Sequence, residues 1–485
     1  MPTQLVLLVA LAALCLVSTA AEVGPPPPLD PVPSVDQLAW QRGELTMFVH
    51  FTVNTFTDRE WGEGTEDPSV FNPTHLDARQ WAKTAKAGGF RIVILTAKHH
   101  DGFCLWPSRY TNHSVKNSPW RGGKGDVVRE FVDACHAEGL KVGIYLSPWD
   151  RHEPSYGDSP RYNEHFRNQL TELLTGYGPI AEIWFDGACG EGPNGKRQEY
   201  DWDSFRATVK RLQPHAVIFS DAGPGVRWIG NESGIAGDPC WSMVNPQTVP
   251  YPGASGDGVI DMLQHGSSDG TVWRPGESDV SIRPGWFWHA SEDSKVRTVD
   301  NLVDLYFKSV GRNSLLLLNV PPNRQGLFAE PDVERINGFR KALDGIFRND
   351  LAKGKHASAS SERGGSTRFG AGKALDGRQD TYWSTDDGVT TGWLEVDLGK
   401  PTQFNVSCLQ EAIALGQRVS AYHLEYLDGS AWKTLASGTT IGHKKLDRFP
   451  TVTAQKVRVS IDAARACPTL SSFGLYYSDR VKPAP

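Results

Sequence analysis

The feature that most constrains this chain is an alternation of short apolar runs with amphipathic stretches, sustained from Trp40 to about Phe347. The runs at Met47–Phe51, Arg91–Thr96, Lys141–Leu146, Glu182–Asp186, Val217–Ser220, Cys240–Val244, Gly285–Trp288 and Leu315–Val320 read as strands. Between them lie helical patterns such as Leu76–Gly89 and Asp126–Gly139, each ending in a glycine suited to a helix C-cap. Strands that alternate with helices pair in parallel, and eight such units predict a (β/α)8 barrel. The run at Cys240–Val244 borders residues 245–284, where Gly, Pro and Ser blur the pattern.

After Lys353 the texture changes. WLEVDLG, AYHLEYLDG, KVRVSID and FGLYYS alternate apolar with polar residues, with turn residues between them. That pattern predicts an all-β sandwich or jelly roll. The expected organisation is a removable leader over 1–21, a proline-rich segment over 22–39, an α/β barrel over 40–350 and a β-sandwich over 351–485.

The apolar run Leu5–Val17, followed by small residues, reads as a secretory signal, and no second apolar stretch is long enough to span a bilayer. The chain is therefore expected outside the cell and off the membrane. Cys104, Cys135, Cys189, Cys240, Cys408 and Cys467 would remain, an even number that permits disulfides, with Cys408 and Cys467 the expected pair. Sequons stand at Asn112, Asn231 and Asn405. With 50 Lys+Arg against 56 Asp+Glu, the net charge of −6 lacks the basic footprint of a nucleic-acid binder.

Barrels of this kind place chemistry at the C-terminal ends of their strands. There stand His50, His99, His100, Tyr145, Trp184 and Asp186. A metal hydrolase could use the histidines with Asp186, but neighbouring residues on a strand point to opposite faces, which separates His99 from His100 unless the strand has ended. The stretch GSSDG at 266–270 matches the serine-nucleophile pattern formally, without the helix that should follow it. Glycoside hydrolysis needs two carboxyl groups astride a sugar. Asp186 suits a nucleophile, and Asp221, Glu232 and Glu277 are open choices for its partner. Trp228 beside Glu232 could raise a carboxyl pKa by desolvation.

MFVHF, KHHDGF, IWFDG, RWIGNE and SIRPGWFWH, in that order, resemble the family 29 α-L-fucosidases, in particular the secreted plant enzymes of the branch acting on α-1,3/1,4 linkages. The resemblance implies a retaining hydrolase acting on fucosylated oligosaccharides or glycoproteins in the extracellular space, the apoplast in a plant. It implies Asp186 as nucleophile and Glu232 as acid/base, their carboxyls about 5–5.5 Å apart. It further implies His50, Glu60, Trp61, His99, His100, Tyr145, Trp184, Trp286 and Glu277 as fucose-holding residues, with no metal needed for catalysis. A glycan on Asn231 would crowd Glu232, so Asn112 and Asn405 are the expected glycosylation sites. KALDGRQDTYWST resembles the discoidin, or coagulation-factor 5/8 type C, module, a galactose-binding-like jelly roll, with Asp376 and Asp380 as possible ligands of a structural Ca²⁺.

Of the 16 Trp, Trp61, Trp184, Trp228, Trp286 and Trp288 cluster in these motifs, whereas Trp81 and Trp393 read as core.

Overall fold

The computed structural model describes residues 23–483, so the run Leu5–Val17 and the expected leader boundary lie outside the described residues. The barrel strands are β1 (Leu45–Val49), β2 (Ile92–Lys98), β3 (Lys141–Leu146), β4 (Glu182–Trp184), β5 (Val217–Phe219) and β6 (Arg227–Trp228). A small antiparallel pair, β7 (Met243–Val244) with β8 (Val272–Trp273), lies off the barrel, which resumes with β9 (Gly276–Ser281) and β10 (Ser314–Asn319). The parallel order is β5-β4-β3-β2-β1-β10-β9-β6. A bridge from Phe219 to Val226 nearly closes the ring.

Two expected strands are corrected here. Cys240–Val244 contributes only β7, outside the barrel, and Gly285–Trp288 is a loop; their barrel places belong to β6 and β9. The sequence of β9, GESDVS, hid it, because it is polar yet buried throughout. Glu277 and Asp279 lie on one face of that strand and point the same way, by the two-residue period of a strand.

Local signals set the helices. Asp77 accepts from Arg79 N to open the helix Ala78–Gly88, and Gly89, at φ 84°, closes it in a conformation a side chain would strain. Trp81 on its inner face is buried against Phe51 and Phe328, and truncating such a residue to Ala costs about 3–5 kcal/mol.

The sandwich is antiparallel, built on the long strands Gly392–Glu411 and Lys445–Ala464, with Val419–Asp428, Ala431–Gly438 and Thr469–Tyr476 beside them. Trp383, Leu394, Val396, Val457 and Val459 fill its core. Its junction with the barrel is polar and specific. His443 N donates to Asn313 Oδ1 at 2.7 Å, Asn313 Nδ2 donates to the Cys240 carbonyl at 2.9 Å, and Lys445 pairs with Asp238 at 2.6 Å. The proline-rich segment is docked on this domain: Arg418 donates to the Pro27 carbonyl at 2.7 Å and Leu29 N to that of Leu415 at 2.9 Å.

Two expectations for this half are overturned, the disulfide and the core placement of Trp393. All six described cysteines are free thiols. Cys408 is in register with Gly474 and Glu411 with Leu470, which leaves Cys467 on the order of 15 Å along the strands from Cys408, beyond the reach of a disulfide. Asp376 and Asp380 do not fit a Ca²⁺ ligand set. Asp380 is paired with Arg378 at 3.0 Å, and both Asp376 oxygens accept from Thr381. Trp393 is half-exposed on the outer sheet face, its ring 4.8 Å from the Arg458 guanidinium.

Candidate active site

The C-terminal ends of the strands converge on a cavity of about 170 Å³. Phe48 of β1 and Trp184 of β4 form its floor, their rings 5.1 Å apart, with Trp184 stacked at 4.0 Å on Phe219. His50 stands just past β1, and His99 and His100 just past β2. Because β2 ends at Lys98, the alternation of a strand no longer applies, and both histidine rings face the cavity 4.1 Å apart. The objection to their sharing a site therefore falls, although among the described residues no three His, Cys, Asp or Glu side chains converge to hold a metal ion.

The hydrogen-bond network sets the imidazole tautomers. Asn319, the last residue of β10, donates through Nδ2 to Ser281 Oγ at 2.9 Å and to the Trp286 carbonyl at 2.8 Å. Its Oδ1 is left to accept from His50 Nδ1 at 2.9 Å, so the unprotonated Nε2 of His50 is the atom available as an acceptor. Ser147 Oγ donates to the Trp149 carbonyl and so accepts from His100 Nδ1 at 2.7 Å. That leaves His100 Nε2 3.8 Å from Asp186 Oδ2. Burial keeps all three rings neutral: it pulls His50 down to about 3, His99 well below the usual imidazole value, and His100 down despite the opposing charge of Asp186.

Asp186 follows β4 and is held from both sides. Tyr145 OH donates to Oδ2 at 3.0 Å and Ala188 N to Oδ1 at 2.7 Å. Burial first, then the Asp186 charge, push the Tyr145 phenol far above its usual pKa, so it remains a donor. Glu232 lines the same cavity from the exposed loop after β6 and accepts from Trp286 Nε1 at 3.2 Å. Asn231 anchors that loop: its Oδ1 accepts from Ser233 Oγ at 2.6 Å and its Nδ2 donates to the Ile235 carbonyl at 2.9 Å. Trp61 closes one side, exposed, and edge-on to His100 and Trp149.

Eight of the named residues besides Glu232 thus meet around one cavity: His50, Trp61, His99, His100, Tyr145, Trp184, Asp186 and Trp286. Two do not. Glu277 is buried beneath the cavity, where it accepts from Trp184 Nε1 at 3.2 Å; burial first, then the neighbouring Glu182, push its pKa well up. Glu60 does not line the cavity, and its oxygens accept from Trp286 N, Phe287 N and His289 Nε2. Asp221 is spent on Gly253 N at 2.8 Å, and burial pushes it up to about 6. Trp228 faces Asp279, not Glu232, donating to Asp279 Oδ1 at 2.8 Å.

Asp279 and Asn319 are the functional residues that sequence reasoning missed. Asn319 ends an apolar run, the same signal that exposed His50. Asp279 lies two residues beyond Glu277 on the inward face, one layer nearer the cavity, in a strand too polar to be recognised. Burial, then the Glu232 charge, push its pKa well above the carboxylate range.

Comparison with known proteins agrees with this geometry. The family model for alpha-L-fucosidase matches residues 34–344, and that for the F5/8 type C domain matches residues 356–472. Alpha-L-fucosidase 1 of Arabidopsis thaliana is 49% identical over 455 residues, covering 93% of this chain and 88% of its own. Among solved structures, SpGH29 superposes with a TM-score of 0.88 at 42% identity, over 94% of this chain and 100% of its own. A Ruminococcus gnavus GH29 fucosidase in complex with fucose gives 0.87 at 37%, over 95% and 98%. With a family model covering nearly the whole barrel and relatives spanning almost the entire chain, this protein belongs to the α-L-fucosidase family of glycosidases.

Proposed function

We propose that the protein is a secreted, retaining α-L-fucosidase that removes terminal α-1,3- or α-1,4-linked L-fucose from oligosaccharides or glycoproteins. The observation that carries the reading is that Asp186, fixed by Tyr145 and Ala188 at a strand end, shares a single-sugar-sized cavity with Glu232. In the first step Glu232 gives its proton to the departing glycosidic oxygen while Asp186 attacks the anomeric carbon, so the C–O bond breaks and an ester forms. In the second, Glu232 takes a proton from a water that attacks the same carbon. The ester breaks, and fucose leaves with its configuration retained.

The other cavity residues serve binding. The imidazoles of His50, His99 and His100 hydrogen-bond sugar hydroxyls, and Trp61 and Trp286 cover the apolar side of the ring. The reaction so written needs no metal, and full activity after exhaustive chelation is the expected result. Secretion rests on the Leu5–Val17 run; protein recovered from medium should begin near Ala21 or Glu22, and a retained Met1 would count against it.

The test is Asp186→Gly. Fucoside hydrolysis should fall by at least about a thousandfold, and azide should restore turnover with formation of the inverted fucosyl azide. Undiminished hydrolysis would remove Asp186 from the mechanism, whereas fucose binding without any hydrolysis by the unmodified protein would leave a sugar-binding barrel as the better reading. Assays on α-1,2-, α-1,3- and α-1,4-fucosylated oligosaccharides side by side decide the linkage.

A further inference from the structure

A second cleft, of about 410 Å³, lies at the opposite end of the barrel, in its seam with the sandwich. Three arginines from three different elements line it. Arg42 follows the helix Val35–Gln41, Arg91 precedes β2, and Arg348 follows the helix Glu330–Phe347. All three are exposed, and among the described residues none has a carboxylate within ion-pairing distance; Arg42 feels Asp380 only at longer range, and that carboxylate is itself paired with Arg378. The acids of the cleft are already matched. Glu44 accepts from Lys444 Nζ at 2.6 Å and Tyr306 OH at 2.8 Å, and Asp344 pairs with Arg340.

The result is a concave surface with uncompensated positive charge on a protein whose net charge is −6. Such a field is opposite in sign to that of the whole chain and concentrates anions locally. Guanidinium groups present paired N–H donors that match carboxylate geometry. Their spread around the cleft suits several anions on one chain better than a single small ion. The wall also carries Phe347 and Tyr476, half-buried with rings 5.1 Å apart, which offer the apolar contact that a sugar ring uses.

We propose that this cleft binds an acidic oligosaccharide, a short oligouronate, through Arg42, Arg91 and Arg348, and so docks the enzyme on carboxylate-bearing glycans with the catalytic cavity free at the far end. The inference does not depend on the catalytic roles of Asp186 and Glu232.

Calorimetric titration of the full-length protein tests it, with a short oligogalacturonate, its neutral reduced counterpart, a sulfated oligosaccharide and inorganic phosphate as separate probes. The oligogalacturonate should bind saturably, more weakly at high salt, and the double variant Arg91→Ala/Arg348→Ala should bind it at least about tenfold more weakly. That variant should hydrolyse an aryl fucoside at the unmodified rate, which certifies its fold. Absence of saturable binding overturns the proposal. So does equal binding by the double variant, equal binding of the neutral oligosaccharide, or binding of the sulfated oligosaccharide or phosphate without the uronate.

Discussion

Glu60 accepts the main-chain N–H of Trp286 at 2.7 Å, so a residue expected to hold the sugar instead holds the loop whose indole touches Glu232. Glu60→Ala frees that loop, and a hydrogen bond to a charged group is worth about 1.5–3 kcal/mol. kcat/KM on a fucoside should fall roughly ten- to a hundredfold, mostly through KM, with Glu60→Gln retaining part of the activity. An unchanged KM would show that Trp286 is held by other contacts.

The same loop carries a titrating clasp. His289 bridges Asp58 Oδ1 at 2.9 Å and Glu60 Oε1 at 2.7 Å; burial lowers its pKa, but the two hydrogen bonds outweigh that and raise it. A raised folded-state pKa gives stability that is fully present below the ordinary value of 6.5 and is lost as pH rises through the higher folded value. Melting temperature should therefore decline above pH 6.5 in the wild type and decline less in His289→Gln. Parallel curves would refute the clasp.

Burial, then the Glu232 charge, hold the pKa of Asp279 well above its ordinary value of 3.8. The folded state therefore keeps its proton more tightly than the unfolded chain, and stability falls as pH rises from that value towards the folded one. Asp279→Asn keeps a neutral acceptor for Trp228 Nε1 and should equal or exceed the wild type in stability as pH rises. Asp279→Ala strands that N–H and should cost about 1–3 kcal/mol. Denaturant melts of both variants across pH measure this, and a strongly destabilised Asn variant at neutral pH would show that the carboxylate form is needed.

Tyr145→Phe deletes the donor to Asp186 Oδ2 and little else, since the ring stays packed against Trp184 at 5.3 Å. kcat/KM should fall roughly ten- to a hundredfold with the melting temperature nearly unchanged. A large loss of stability would place the hydroxyl's role in the fold.

The three sequons differ in access. Asn405 is 4% exposed, its Nδ2 donating to the Ser478 carbonyl at 2.9 Å, which leaves no room for the glycan expected there. Asn231 Nδ2 is spent on Ile235, whereas Asn112 is exposed. Peptide mass spectrometry of protein from a eukaryotic secretory host should find glycan at Asn112 alone; occupancy at Asn231 would count against Glu232 as acid/base.

Legibility followed burial pattern. β1 to β5 and β10 could be read because each is an apolar run between turn signals. β9 could not, because its inward residues fill a polar layer between core and cavity, so Glu277 was assigned to a site that Asp279 lines. No helix separates β5 from β6, which broke the rhythm on which the prediction of the sixth strand relied.

The sequence by itself determined the alternation that makes a parallel barrel, the antiparallel texture beyond it, and which polar residues stand at strand ends. Those are properties of neighbours along the chain, and local periodicity records them. Only the tertiary structure decided that His99 and His100 share a cavity, that Glu60 serves a loop, that Cys408 and Cys467 stand apart, and that unpaired arginines gather in the interdomain seam. Each of these depends on residues far apart in the chain meeting in space, where burial and the identity of the partner set charge, protonation and reach.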